Sequence, residues 1–244
     1  MKISKSELKF VKSLKLKKSR HLERSFLVEG AKNVLELLDS TFVVDYVIGT
    51  ESFLESNDLK GQKNIKIRTV SSSELGSIST LKTTNSCIAV AKIPETPKLR
   101  RGEVSIVLDG VNDPGNLGTI IRSLDWFGFD QVICSLDTAD FFNPKTISST
   151  MGSFTRVTAH YLDLETFFAS NEDQEVYSMD LKGDPLDRAV IKEGIIILGS
   201  ESHGVRDNLR KFITQELSIT KYGRAESLNV AQAATILFYQ LRRP

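Results

Sequence analysis

The stretch Val104-Ser105-Ile106-Val107-Leu108-Asp109-Gly110-Val111-Asn112-Asp113-Pro114-Gly115-Asn116-Leu117-Gly118-Thr119-Ile120-Ile121-Arg122-Ser123 decides how the rest of the chain reads. It opens on a strand-length aliphatic run, Val104 to Leu108, passes through glycine and small polar residues from Asp109 to Gly118, and leads into a helix that carries Arg122. A buried strand, a glycine-rich loop and a helix in immediate succession are the unit of an α/β sheet.

Working outward toward the C-terminus, further strand-length runs occur at Gln131 to Cys134, Arg156 to Ala159, Glu175 to Met179, Gly194 to Leu198 and Glu216 to Ile219. The last element, Asn229 to Leu241, places Val230, Ala233, Ala234, Leu237 and Leu241 along one side of a helix that Ser227 or Asn229 could cap. Toward the N-terminus, Pro94 to Gly102 holds two prolines and three basic residues and reads as a linker. Before it, strands at Phe26 to Val28, Val43 to Ile48, Ile65 to Val70 and Cys87 to Ile93 alternate with helical stretches at Ala31 to Leu38, Ser52 to Asn57 and Ser72 to Ile78. The division expected is therefore a smaller α/β domain over residues 1–93, a linker over 94–102 and a parallel-sheet domain over 103–244. The last of these is expected to fold without the first 102 residues.

Composition excludes several classes. With 244 residues, 40% hydrophobic, 26% charged, 15 glycines and 6 prolines, the chain reads as an ordinary globular protein and needs no disulfide or metal staple. The longest wholly aliphatic run, Ile195 to Leu198, is far short of the roughly 20 apolar residues of a membrane span. No secretory signal is read at the N-terminus, so the expected location is the cytoplasm. Cys87 and Cys134 sit in apolar strands and read as buried thiols, and His21, His160 and His203 are too far apart for a zinc spacing, so no metal is expected. Charge is distributed unevenly: residues 1–24 hold nine Lys or Arg against Glu7 and Glu23, a net of +7, so the other 220 residues sum to −6. Such a concentration suits contact with a phosphate backbone, and equally a solvated helix face.

Glycine and small polar residues cluster after three strands of the second part: Asp109 to Gly118, Gly199 to Gly204, and Tyr222 to Asn229. Open α/β sheets bind ligands beyond the carboxyl ends of their strands, so three such loops mark that end as a site. The chain contains no G-x-G-x-x-G, no P-loop and no G-x-S-x-G, so neither a Rossmann dinucleotide fold nor a P-loop is supported and the usual hydrolase elbow is removed.

Three of these segments, Asp113 to Ser123, Leu198-Gly199-Ser200-Glu201-Ser202-His203-Gly204 and Ser227-Leu228-Asn229-Val230-Ala231, resemble in order and spacing the three motifs of the SpoU family. This branch of the SPOUT superfamily methylates RNA ribose 2′-hydroxyls with S-adenosyl-L-methionine. The resemblance covers roughly Val104 to Arg243, and Arg20 to Gly30 is similar to the opening of the family's accessory substrate-binding domain. It implies a C-terminal parallel-sheet SPOUT domain with a deep trefoil knot, a smaller N-terminal α/β substrate-binding domain, and a homodimer. One departure stands out: Thr220-Lys221-Tyr222 precedes Gly223 where relatives often carry a Pro-Met pair.

The resemblance also assigns roles. Cofactor contacts fall on Gly199, Ser200, Glu201, Gly204, Ile219, Gly223, Ser227, Leu228 and Asn229. The catalytic set is Arg122, Asn116, Glu201, Ser227 and Asn229. Arg122 is always protonated and is a poor base, so it is read as gripping the RNA phosphate and stabilising developing alkoxide charge. Asn116 and Asn229 orient it or the ribose, and Glu201 fixes the arginine or lines the pocket. His203, titrating near neutrality, is read as a loop residue because the family tolerates several residue types there. The expected substrate is ribosomal RNA, with transfer RNA and a non-catalytic RNA binder as the competing readings.

Overall fold

The computed structural model describes residues 2–59, 65–80, 86–101, 104–201 and 203–243. Expectations touching Gly102, Glu103 or Ser202 lie outside the described residues. The chain forms two compact units, residues 1–95 with 140–155 and residues 96–139 with 156–244.

In the first unit, Ser4 and Glu7 make a capping box at the start of α1 (Lys5–Ser13). Such a box satisfies two otherwise orphaned backbone donors. Val11 and Leu14 are buried while Lys5, Lys9 and Lys12 are exposed. After α2 (Lys17–Glu23) the chain turns through Arg24 in left-handed backbone, φ 45°, into β1 (Ser25–Glu29), which is buried throughout. Then follow α3 (Ala31–Leu38), β2 (Val44–Gly49), α4 (Glu51–Ser56), β3 (Lys66–Thr69), α5 (Ser72–Ile78) and β4 (Cys87–Lys92). The sheet order is β1-β4-β2-β3, with β4 antiparallel to both neighbours and β3 parallel to β2. Leu27, Ile48, Ile88 and Val90 pack with Val11 and Leu14 in its core. Glu7 holds Arg68 at 2.7 Å, and that guanidinium with the Ser4 backbone keeps the Glu7 carboxyl at about 2, well below the usual carboxylate range.

Arg20 does not belong with the exposed cations of the basic N-terminus. Its side chain is 2% exposed; Nη1 donates to the carbonyls of Leu14 (2.9 Å) and Lys15 (2.8 Å), and Nη2 pairs with Asp140 at 2.5 Å. Lys15 is also committed, donating to the Ser79 carbonyl at 2.9 Å. The phosphate-facing reading therefore applies to fewer than the nine residues counted from sequence.

The second unit begins with β5 (Val104–Leu108), α6 (Pro114–Trp126) and β6 (Gln131–Ser135). Asp113 caps α6, accepting from the Asn116 N–H at 2.9 Å, with Pro114 in the first turn where its missing donor costs nothing. Residues 140–155, which the sequence reading places in the domain over 103–244, then pack with the first unit. There α7 (Pro144–Thr150) lies against β1, and Phe142 and Phe154 contact Phe26 with ring centroids 4.7 Å and 6.1 Å away. The chain returns through β7 (Thr158–Leu162), which starts two residues later than expected, Arg156 lying in the turn that follows the short 3-10 segment Ser153–Thr155. It continues with α8 (Leu164–Ala169), β8 (Val176–Pro185), β9 (Gly194–Leu198), α9 (Asp207–Arg210), β10 (Gln215–Ser218) and α10 (Val230–Leu241).

The sheet order is β10-β8-β9-β5-β6-β7, with every neighbouring pair parallel. The α/β parallel-sheet architecture expected from the sequence is thus present. β9 is buried along its whole length, as an unbroken aliphatic run in a parallel sheet should be. Cys87 and Cys134 are both buried, and burial pushes the Cys87 thiol up to about 12 and raises that of Cys134 as well. Between β8 and β10 the register jumps: Glu216 pairs with Ser178, but Leu217 pairs with Asp184, so residues 179–183 bulge out of the ladder. Gly183 permits the return, since a Cβ there would lie 2.4 Å from the Glu216 carbonyl carbon.

Candidate active site

The carboxyl ends of β5, β9 and β10 carry the three small-residue loops. The first is anchored by Asp109, whose buried carboxylate accepts from the Arg206 N–H at 2.9 Å, Nε at 2.6 Å and Nη2 at 2.5 Å. This multidentate pair ties the loop after β9 to the end of β5, and the hydrogen bond to Asp109, with its charge, raises the Arg206 pKa. Gly110, in left-handed backbone at φ 69°, donates to Ser135 Oγ at 2.9 Å.

The second loop closes on itself. Ser200 and Gly204 exchange backbone hydrogen bonds at 3.0 Å and 2.9 Å, and Gly204 adopts φ 66°. Gly199 must be glycine, because a Cβ would fall 2.0 Å from the Gly204 carbonyl carbon. This tight ring projects Glu201 toward the amino ends of two helices.

There the three motifs meet. Glu201 Oε1 accepts from Asn229 Nδ2 at 2.6 Å, Asn116 Nδ2 at 3.1 Å and the Val230 N–H at 3.3 Å. Asn229 Nδ2 also donates to Asn116 Oδ1 at 3.0 Å, while Asn229 Oδ1 caps α10 through the Ala231 N–H at 2.9 Å. A carboxylate fits this position, since it accepts the first N–H of α10 and lies at the positive ends of the α6 and α10 dipoles. Of the two caps considered for the last helix, Asn229 is the one used.

Beside this cluster lies a cavity of about 450 Å³. Of the nine residues assigned to cofactor contact, eight line it: Gly199, Ser200, Glu201, Gly204, Ile219, Gly223, Ser227 and Leu228. Asn229 does not line it, being drawn into the Asn116–Glu201 cluster instead. Ser227 is exposed at the wall and makes no hydrogen bond among the described residues. Arg122 is exposed on α6, six residues beyond Asn116 and so about 120° away around the helix axis. It has no hydrogen bond or ion pair among the described residues and is not brought to the cluster. His203 is exposed in the loop, its N–H donating to Ser200 Oγ at 3.2 Å.

Sequence reading missed one wall. Met179, Asp180 and Leu181, from the bulge in β8, face the cavity together with Val230 and Ala233. The turn-forming Gly183 and Pro185 inside an otherwise strand-like run were the available signal. Among the described residues no group of three or more His, Cys, Asp or Glu could hold a metal ion, and no helix is long and apolar enough to cross a membrane.

The sequence profile of the SpoU rRNA Methylase family matches residues 103–239, and that of the MRM3-like substrate binding domain matches residues 5–89. The chain is 34% identical over 235 residues to the 23S rRNA (guanosine(2553)-2′-O)-methyltransferase RlmP of Bacillus subtilis, covering 95% of this chain and 94% of that one. It is 31% identical over 170 residues to the 23S rRNA (guanosine-2′-O-)-methyltransferase RlmB of Coxiella burnetii, covering 64% of this chain and 62% of the other. Among solved structures, a Porphyromonas gingivalis protein assigned to the TrmH family of RNA methyltransferases superposes with a TM-score of 0.88 at 33% identity, over 99% of both chains. An AdoMet-bound rRNA methyltransferase from Sinorhizobium meliloti superposes at 0.84 with 26% identity, over 99% of this chain and 97% of that one.

Proposed function

The chain belongs to the SpoU rRNA Methylase family, and from that premise we propose that it transfers the methyl group of S-adenosyl-L-methionine to a ribose 2′-hydroxyl of ribosomal RNA. The observation that carries this reading is the meeting of Asn116, Glu201 and Asn229, one from each motif, at the rim of a cavity suited to a small molecule. Its volume falls within the roughly 300–1,000 Å³ of small-molecule sites.

The residues present fit the methyl donor. Leu198, Ile219, Leu228 and Val230 give the cavity apolar walls, and the Gly199–Gly204 ring brings bare backbone to its edge. At Gly223 an added Cβ would meet nothing within 4 Å, so the glycine there leaves open space that the protein does not fill. When bound, S-adenosyl-L-methionine supplies a methyl group on a sulfonium, which moves to an oxygen by in-line displacement. The protein's part is to align the ribose oxygen, accommodate the released proton and stabilise developing negative charge.

Asn116 and Asn229, locked to each other and to Glu201, supply amide groups that orient the ribose or Arg122. Because Glu201 already accepts three hydrogen bonds, its role is to hold both asparagines in place. Arg122, always charged and uncommitted among the described residues, grips the phosphate beside the target ribose. Ser227 joins the site through its exposed hydroxyl. The same family reading carries a trefoil knot in the C-terminal part of the chain, a homodimer and a cytoplasmic setting.

Ribosomal RNA is favoured over transfer RNA by the match of residues 5–89 to a substrate-binding domain and by the substrate named for the Bacillus subtilis relative. Mapping 2′-O-methyl groups across ribosomal and transfer RNA in cells with and without the gene tests this. A ribosomal position that loses its methyl group on deletion is expected; loss confined to transfer RNA would move the substrate, and no loss in either would overturn the activity.

A further inference from the structure

Between β10 and α10 the chain runs in the open. Every residue from Thr220 to Asn229 is exposed, and none from Thr220 to Leu228 takes part in a loop hydrogen bond between backbone groups. In its middle stands Tyr222, 96% exposed and the most exposed large apolar side chain among the described residues. It lines the mouth of the cavity beside the Asn116–Glu201–Asn229 cluster. No aromatic or cationic side chain among the described residues stacks on its ring. Lys221 and Arg224 flank it, both exposed and both without a hydrogen bond or ion pair among the described residues.

An aromatic ring held fully in water forfeits the burial that usually justifies it. Two free cations beside such a ring, at the edge of a site acting on a ribose, match the chemistry of a splayed nucleotide. Unpaired bases stack on aromatic side chains, and their phosphates pair with Lys and Arg. We infer that Tyr222 is the platform on which an unpaired base of the substrate RNA stacks next to the target ribose, with Lys221 and Arg224 holding the adjoining phosphates. This rests on the RNA-methyltransferase reading and adds to it a requirement for single-stranded RNA at the site.

The test uses full-length protein, wild type and the Tyr222→Ala and Tyr222→Phe variants. Affinity is measured for a short single-stranded oligoribonucleotide and for its duplex form, alongside S-adenosyl-L-methionine affinity and solution mass. Stacking predicts that Tyr222→Ala weakens single-strand binding by about 5- to 150-fold. It also predicts that the duplex is bound as before, that any loss of methyl-donor affinity is much smaller than the loss of single-strand affinity, that mass is unchanged, and that Tyr222→Phe restores binding. Equal single-strand binding by wild type and Tyr222→Ala would overturn the inference. So would a loss of methyl-donor affinity as large as that of single-strand affinity, which would make Tyr222 chiefly a wall of the cofactor site, or a change in mass, which would place it between two copies of the chain. Because binding is read apart from turnover, a wild-type protein that transfers no methyl group but loses single-strand affinity in Tyr222→Ala would sink the enzymatic reading and leave the stacking role standing.

Discussion

Arg122 separates the two halves of the proposed chemistry. It sits on α6 away from the Asn116–Glu201–Asn229 cluster and does not line the cavity, which supports the proposed role toward the RNA over one toward the methyl donor. Arg122→Ala is expected to lower turnover by about 100- to 1,000-fold, the usual loss when a group stabilising transition-state charge is removed. Methyl-donor affinity should stay nearly unchanged. Arg122→Lys should recover little, since a point charge does not reproduce a planar bidentate fork. Single-turnover rates with calorimetric donor binding check both, and near-normal turnover in the lysine variant would remove the positioning role. At this scale the sequence was most legible where a motif forces proximity: Asn116, Glu201 and Asn229 are far apart in the chain yet share hydrogen bonds. It was least legible for Arg20, because a basic residue in a basic segment gives no sign that it is buried against Asp140, 120 positions away.

At the scale of elements, the strands and helices flanking the glycine-rich loops stand within a few residues of where periodicity puts them, since an unbroken aliphatic run such as Gly194–Leu198 has one comfortable place in a parallel sheet. Two features escaped because they depend on partners remote in sequence. The β8 bulge exists because β8 leaves the ladder after Ser178 and rejoins β10 at Asp184, and α7 packs on β1 through Phe26, Phe142 and Phe154. Removal of residues 1–102 therefore strips residues 140–155 of the surface they pack on, against the expectation that the remainder folds unaided. The buried Arg20–Asp140 pair holds this segment to the first unit, and losing one partner of such a pair leaves an uncompensated charge. Arg20→Ala should accordingly cost about 3–5 kcal/mol of stability. Denaturant unfolding of full-length protein measures it, and a loss no larger than that of an exposed arginine would show the pair to be dispensable.

For the whole molecule, the question is where its charge meets RNA. Arg20 and Lys15 are committed internally, whereas Lys5, Lys9 and Lys12 recur at helical spacing along the exposed side of α1. Replacing these three by glutamine should leave the fold intact and reduce the slope of log affinity against log salt by about 2 to 3, since each phosphate contact contributes about 0.7–0.9. RNA binding across a salt series decides between this and a solvated face, for which the slope would not change. The central claim, methyl transfer to a ribose oxygen, is tested most directly by incubating full-length protein with methyl-labelled S-adenosyl-L-methionine and ribosomal RNA, then digesting the RNA to nucleosides. The account predicts label in a 2′-O-methylnucleoside with wild-type protein and almost none with Arg122→Ala; label on a base, or equal label from the two proteins, would contradict it.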